Sequence, residues 1–185
     1  MRLFVALELP WELRQRLSFL AGAGIPGARW IPSENYHLTL RFIGEMPAFR
    51  AEEIDQALSS VKARRFSLTL AGVGTFAKSG RSVSLWVGVE RNLQLDHLQT
   101  KIETALQRCG LEPERRRFTP HITLARLDSP VEARLAGFVQ GHNLFRSDPI
   151  PVEHFTLFSS RLGKDQAVYT PEVEYALERA DESAG

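Results

Sequence analysis

The chain has 185 residues, 43% of them hydrophobic and 24% charged, with a formal net charge of +1. That balance suits one globular domain, or two small lobes sharing a core, and excludes nucleic-acid binding driven by the whole-molecule field; attraction for phosphate must be local. The single cysteine, Cys109, excludes an intrachain disulfide and a cysteine-based zinc cluster, and no apolar run or basic-then-apolar leader marks a membrane span or export signal. The expectation is therefore a cytoplasmic, monomeric enzyme or binding domain without a membrane partner.

Residues 2–8 read as a buried strand, after which Pro10 opens a helix with Leu13, Leu17 and Leu20 at helical spacing, closed by Gly22 and Gly24. A strand follows over 36–43, then a helix over about 47–62 with Ile54, Leu58 and Val61 on its apolar stripe. Residues 65–73 and 82–90 alternate as two strands around a Lys78-Ser79-Gly80-Arg81 turn. The strongest helix spans about 93–109, with Leu95, Leu98, Ile102, Ala105 and Leu106 on one side. A strand over 121–127, a short helix over about 130–139 and strands over about 151–159 and 167–177 complete the pattern. Strands and helices mixed in this way, with no low-complexity linker, predict an α+β fold. We expect one bilobal domain over residues 1–180, with a disordered tail at 181–185. Each half of the chain supplies a pseudo-symmetric lobe, antiparallel sheets line a central cleft, and helices lie outside.

The least accidental feature is a repeat: His37-Leu38-Thr39-Leu40 returns as His121-Ile122-Thr123-Leu124, 84 positions later. For a given histidine, x-Thr-Leu follows by chance in roughly 0.6% of shuffled chains of this composition. On a strand, residues two apart share a face, so each copy presents an imidazole and a hydroxyl together and buries its aliphatic residues behind them. Two such strands side by side give one cleft two imidazoles, the equipment for acid and base catalysis without a metal. The hydroxyls of Thr39 and Thr123 suit hydrogen bonds to nonbridging oxygens.

Competing chemistries fit less well. Neither motif offers a second His, Asp, Glu or Cys at i+2 or i+4, so no metal and no cofactor are expected. No Gly-x-Ser-x-Gly elbow is present, and Cys109 ends a helix without a patterned histidine near it. His97, His142 and His154 lack patterned neighbours and are assigned structural roles.

Positive charge gathers near the second motif, where Arg115-Arg116-Arg117-Phe118 leads into Thr119-Pro120-His121. The arginine run is equally compatible with a solvated loop and with phosphate attraction. Phe118 offers a stacking face for a base. Arg41 follows the first motif with the parity of His37 and Thr39, which predicts that it shares their face. Arg126 follows the second with the opposite parity, so it reaches the site only if the strand bulges, twists or ends.

Tyr-His-Leu-Thr-Leu-Arg-Phe-Ile-Gly and Phe-Thr-Pro-His-Ile-Thr-Leu-Ala-Arg resemble the paired motifs of the 2H phosphoesterase superfamily. The opening Met-Arg-Leu-Phe-Val-Ala-Leu-Glu-Leu-Pro and the Arg29-Trp30-Ile31-Pro32 segment are similar to the RNA 2′,3′-cyclic phosphodiesterases, also called 2′-5′ RNA ligases. The resemblance covers nearly the whole chain. It departs at Gly163-Lys164-Asp165-Gln166-Ala167-Val168-Tyr169, where relatives often carry a Gly-Pro-x-Tyr-type turn, and this leaves the role of Tyr169 open.

The resemblance implies a two-lobed fold and hydrolysis of RNA or nucleotide 2′,3′-cyclic phosphate to a 2′-phosphomonoester, with 2′-5′ ligation as the reverse reaction. It also implies that His37 donates a proton, that His121 accepts one, and that Thr39, Thr123 and Arg126 hold the phosphate. The alternatives are a noncatalytic RNA- or nucleotide-binding module and a 2′-5′ oligonucleotide phosphodiesterase.

Overall fold

The two ends of the chain meet in one sheet. In the computed structural model, which describes residues 1–179, strand β1 (Arg2–Glu8) lies between β3 (His37–Glu45) and β9 (His154–Leu162), and β10 (Ala167–Ala176) extends the sheet beyond β9. The second sheet is built from the middle of the chain, in the order β2 (Ala28–Trp30), β7 (His121–Leu127), β6 (Arg81–Val89) and β5 (Leu70–Lys78). All pairings within the two sheets are antiparallel. The α+β, two-lobed expectation holds, but the lobes are not the two halves of the sequence. They are a terminal lobe and a central lobe, because β1 recruits its second neighbour from near the C-terminus.

Four helices, α1 (Trp11–Leu20), α2 (Ala48–Ser59), α3 (Leu93–Arg108) and α4 (Glu132–His142), pack around the sheets. Helix α3 begins where Asn92 accepts a hydrogen bond from the Leu95 amide at 3.0 Å, a cap worth about 1 kcal/mol. It ends against Gly110, whose φ of +100° is the left-handed turn that stops a helix at little steric cost. Its stripe of Leu95, Leu98, Ile102 and Leu106 enters the same core as Leu3, Val5 and Leu7 of β1, Leu38 and Leu40 of β3, and Ile122 and Leu124 of β7. The aliphatic halves of both motifs thus bury into one core, at about 1.5–3 kcal/mol per side chain. That common anchor holds the two motif strands against each other.

Two segments expected as single strands divide. Residues 65–73 give β4 (Phe66–Leu68) and the start of β5, and 151–159 give β8 (Ile150–Val152) and most of β9; β4 and β8 pair with each other as a separate ribbon. Strand β2 was not anticipated; it is three residues long and borders β7, with Arg29 opposite Arg126. The expected tail at 181–185 lies outside the described residues. Among the described residues no helix is long and apolar enough to cross a membrane.

Candidate active site

Both motif strands carry the same irregularity at the same place. On β3, Ala6 pairs with Thr39 and the adjacent Val5 with Arg41, so Leu40 is an extra residue. On β7, Trp86 pairs with Thr123 and the adjacent Leu85 with Ala125, so Leu124 is the extra residue. An inserted residue reverses the alternation beyond it. From each histidine the burial sequence is therefore identical: half-buried, buried, half-buried, buried, buried, exposed. His121, Thr123 and Arg126 consequently share a face, and so do His37, Thr39 and Phe42.

The bulge answers the parity problem of Arg126 and reverses the expectation for Arg41. Arg41 turns to the core side, only 8% exposed. There its Nε donates to Glu103 at 2.6 Å, and its other nitrogens donate to the backbone carbonyls of Phe42 and Glu112. Burial alone would raise the Glu103 pKa, but hydrogen bonds from Arg41, the Glu114 amide and Gln107 hold it below the ordinary carboxylate range. Arg41 is therefore a brace joining β3, α3 and the 112–114 segment, and it does not belong to the cleft.

The two imidazoles are held in the same way. Nδ1 of His37 lies 2.8 Å from the carbonyl oxygen of Asn35, and Nδ1 of His121 lies 2.7 Å from that of Thr119. In each case the partner is the carbonyl two residues earlier. A carbonyl only accepts, so Nδ1 carries the proton and Nε2 is left for chemistry.

Aromatic rings seat both imidazoles. Phe4 lies 4.9 Å from the His37 ring and Tyr169 meets it edge-on at 5.2 Å, with Phe158 behind at 6.3 Å. Phe76 meets His121 edge-on at 4.8 Å, with Trp86 at 6.4 Å. Trp86 lies across two glycines. A Cβ on Gly74 would come within 2.5 Å of its ring, and one on Gly88, the ladder partner of His121, would meet the ring at 3.1 Å and the Ala71 carbonyl oxygen at 2.8 Å. These are strand positions where a side chain would displace the wall of the site.

Burial lowers the His37 pKa to about 4, with Arg126 and His121 pushing the same way against the Asn35 hydrogen bond. Burial also lowers the His121 pKa, and Arg126 again adds to the effect. The guanidinium is thus close enough to act on both rings, and each histidine favours the neutral form in the free protein.

The remaining candidates separate cleanly. Phe118 is half-buried, packed in part against the main core, which leaves only part of its ring accessible. The exposed aromatic residue of the motif strands is Phe42, which simple alternation would have placed with Leu38 and Leu40. Arg115, Arg116 and Arg117 are exposed, with Arg116 beside Glu114 at 3.5 Å, as in a solvated loop. His142 bonds the Phe138 carbonyl at 2.9 Å and stacks on the Phe138 ring at 4.3 Å. His97 is exposed along a groove of about 980 Å³ between α2 and α3, away from both motifs.

Among the described residues the group of potential metal ligands is Glu8, His154 and Glu174, which includes neither motif histidine. Glu8 faces His37 across the ladder, and its carboxylate accepts from the Thr156 hydroxyl at 3.4 Å. Phe4, Phe158, Phe76 and Trp86 had no sequence signal, since each reaches its histidine from another strand. Only the pairing register could have revealed them.

Two symmetrically mounted imidazoles, each with a threonine on its face and both within reach of the charge of Arg126, define a two-histidine cleft. Residues 25–164 match the 2′-5′ RNA ligase superfamily, and the chain belongs to it. An RNA 2′,3′-cyclic phosphodiesterase of Geobacillus stearothermophilus is 35% identical over 128 residues, 66% of this chain and 41% of that protein. One of Aeropyrum pernix is 38% identical over 109 residues, 58% of this chain and 61% of the relative. The chain therefore spans less than two thirds of either relative's length. Escherichia coli LigT complexed with 3′-AMP has the same fold, with a TM-score of 0.78 and 27% identity over 95% of this chain and 97% of LigT.

Proposed function

We propose that this protein hydrolyses 2′,3′-cyclic phosphate at the end of an RNA or on a nucleotide, giving a 2′-phosphomonoester by metal-independent acid–base catalysis. Water attacks phosphorus opposite the ribose 3′-oxygen and gives its proton to Nε2 of His121. The bond from phosphorus to the 3′-oxygen breaks as Nε2–H of His37 protonates that oxygen. Thr39, Thr123 and Arg126 bind the nonbridging oxygens as charge builds on them.

The observation that carries this reading is the shared mounting of the two rings: Nδ1 of each is tied to a backbone carbonyl, and both feel Arg126. A noncatalytic nucleotide module has no need of two such imidazoles. His37 is neutral at pH 7 in the free protein, so its donor role depends on the substrate. A bound phosphate anion opposes the charge of Arg126 and favours a proton on His37.

With a 5′-hydroxyl end in place of water as the nucleophile, the same pair forms a 2′-5′ linkage: the 5′-oxygen bonds to phosphorus, its proton passes to His121, and the 3′-oxygen leaves protonated by His37. Incubation with 2′,3′-cyclic AMP in the presence of EDTA, with separation of the product isomers, tests the proposal. We expect 2′-AMP. Loss of turnover in the chelator, 3′-AMP as product, or no reaction would each refute it.

A further inference from the structure

We infer that Arg29 holds the phosphate carried on C5′ of the ribose whose 2′,3′-cyclic phosphate reacts, so that the cleft favours an RNA end over a nucleoside 2′,3′-cyclic phosphate; this rests on the function proposed above. Arg29 is the middle residue of β2, the edge strand of its sheet, and stands directly opposite Arg126 in the β2–β7 ladder. Residues directly opposite in an antiparallel pair share a face, with Cβ atoms about 4.5–5.5 Å apart. The flanking Ala28 and Trp30 pack inward against a core cluster, while Arg29 and Arg126 are both exposed.

The face they share is that of His121. From Arg126 the row continues across the sheet through Ser84 on β6 to Phe76 on β5, the ring that meets His121 edge-on at 4.8 Å. The two cations stand at different depths along this row. The charge of Arg126 reaches both imidazoles, whereas Arg29, one strand further out, contributes to the shift of neither. Like charges directly opposite each other work against folding, and nothing in the fold relieves this pair. Among the described residues no ion pair includes either guanidinium. Arginines with a structural task here have a carboxylate, as Arg41 has Glu103 and Arg146 has Glu90.

Two adjacent cations without partners suit two adjacent anions. With the nonbridging oxygens of the reacting phosphate on Arg126, the next anion along an RNA chain is the phosphodiester on C5′ of the same ribose. A nucleoside 2′,3′-cyclic phosphate lacks that second anion. A guanidinium grips phosphate oxygens through paired N–H donors, and a contact to the backbone carries no base information. Arg29 therefore reads that a chain is attached, whatever its sequence.

The test measures KM for 2′,3′-cyclic AMP, for the same nucleotide bearing a 5′-phosphate, and for the dinucleotide ApA ending in a 2′,3′-cyclic phosphate. An exposed charge-assisted contact corresponds to about three- to tenfold in affinity. We expect wild type to show a KM lower by about that factor for both substrates with the added phosphate. Arg29→Ala should remove this advantage and change KM for 2′,3′-cyclic AMP less, while Arg29→Lys, which keeps the charge, should retain part of it. The thermal melt of Arg29→Ala should not fall below that of wild type, because the substitution removes a like-charge pair. Several results would overturn the assignment: no advantage in wild type, an advantage confined to the free 5′-phosphate, an advantage kept by Arg29→Ala, equal losses on all three substrates, Arg29→Lys behaving as alanine does, or a lower melt. Wild-type turnover of 2′,3′-cyclic AMP upholds the hydrolase whatever Arg29 does, while wild type inactive on all three substrates would overturn the hydrolase and this assignment together.

Discussion

The two motif strands begin with the same pattern and end differently. After His-x-Thr-Leu, β3 continues Arg41-Phe42 and β7 continues Ala125-Arg126. The same bulge sends the first residue of each pair inward and the second outward. One arginine is therefore buried and the other is exposed on the face of its histidine, although both lie within two residues of a motif. A one-residue offset decides whether a guanidinium braces the fold or lies where its charge reaches both imidazoles.

This contrast predicts a crossed outcome for the two arginines. Arg41→Ala leaves Glu103 without its closest partner, and a broken buried pair costs about 3–5 kcal/mol; chemical denaturation should register the loss, while protein still folded keeps most of its turnover. Arg126→Ala should unfold within about 0.5 kcal/mol of wild type. Its turnover should fall about 10²- to 10³-fold, the usual consequence of losing a donor to a developing anion. A stable Arg41→Ala protein without activity, or a fully active Arg126→Ala protein, would break the comparison.

A smaller effect concerns the histidine most deeply affected by its surroundings. Above pH 6.5 His37 is neutral in both folded and unfolded chains, so it costs nothing there. As pH falls from 6.5 toward the folded value of about 4, the unfolded chain takes up the proton first and stability drains away. The loss from this group is at most about 3 kcal/mol. His37→Asn should flatten that part of the stability profile, and urea melts at pH 7 and pH 4.5 would reveal it. An unchanged slope would mean that the ring is not shielded as its setting implies.

The smallest effects belong to the threonines. Thr39→Val and Thr123→Val should each cost turnover about tenfold, near 1.4 kcal/mol, typical of one hydrogen bond to a charged group. Thermal melts should change little, because valine suits a strand. A variant that lost stability but kept its rate would recast that threonine as structural.

Much of this was legible in the chain because periodicity reports which face of an element is buried. The helices carrying Leu13 and Leu17, Ile54 and Leu58, or Leu95 and Leu98 stand where their stripes place them, and both motif strands start at their histidines. Alternation failed one residue past each motif, because nothing local in Leu40 or Leu124 announces a bulge. That failure misplaced Arg41, made Arg126 look misdirected and hid Phe42. Phe118 shows a different limit: a phenylalanine next to arginines suggested a nucleic-acid surface, and nothing in the sequence signalled that its ring also packs in part against the core. The aromatic seats of the histidines were out of reach, since Phe4, Phe158, Phe76 and Trp86 meet them only through long-range strand pairing.

The most direct test of two-histidine catalysis is a double-mutant cycle on 2′,3′-cyclic AMP turnover using His37→Ala, His121→Ala and the double variant. A coupled acid and base predict a loss of about 10²–10⁴-fold in each single variant, with the double variant little worse than the poorer single. Near-wild-type turnover in either single variant, with its fold intact, would contradict the mechanism.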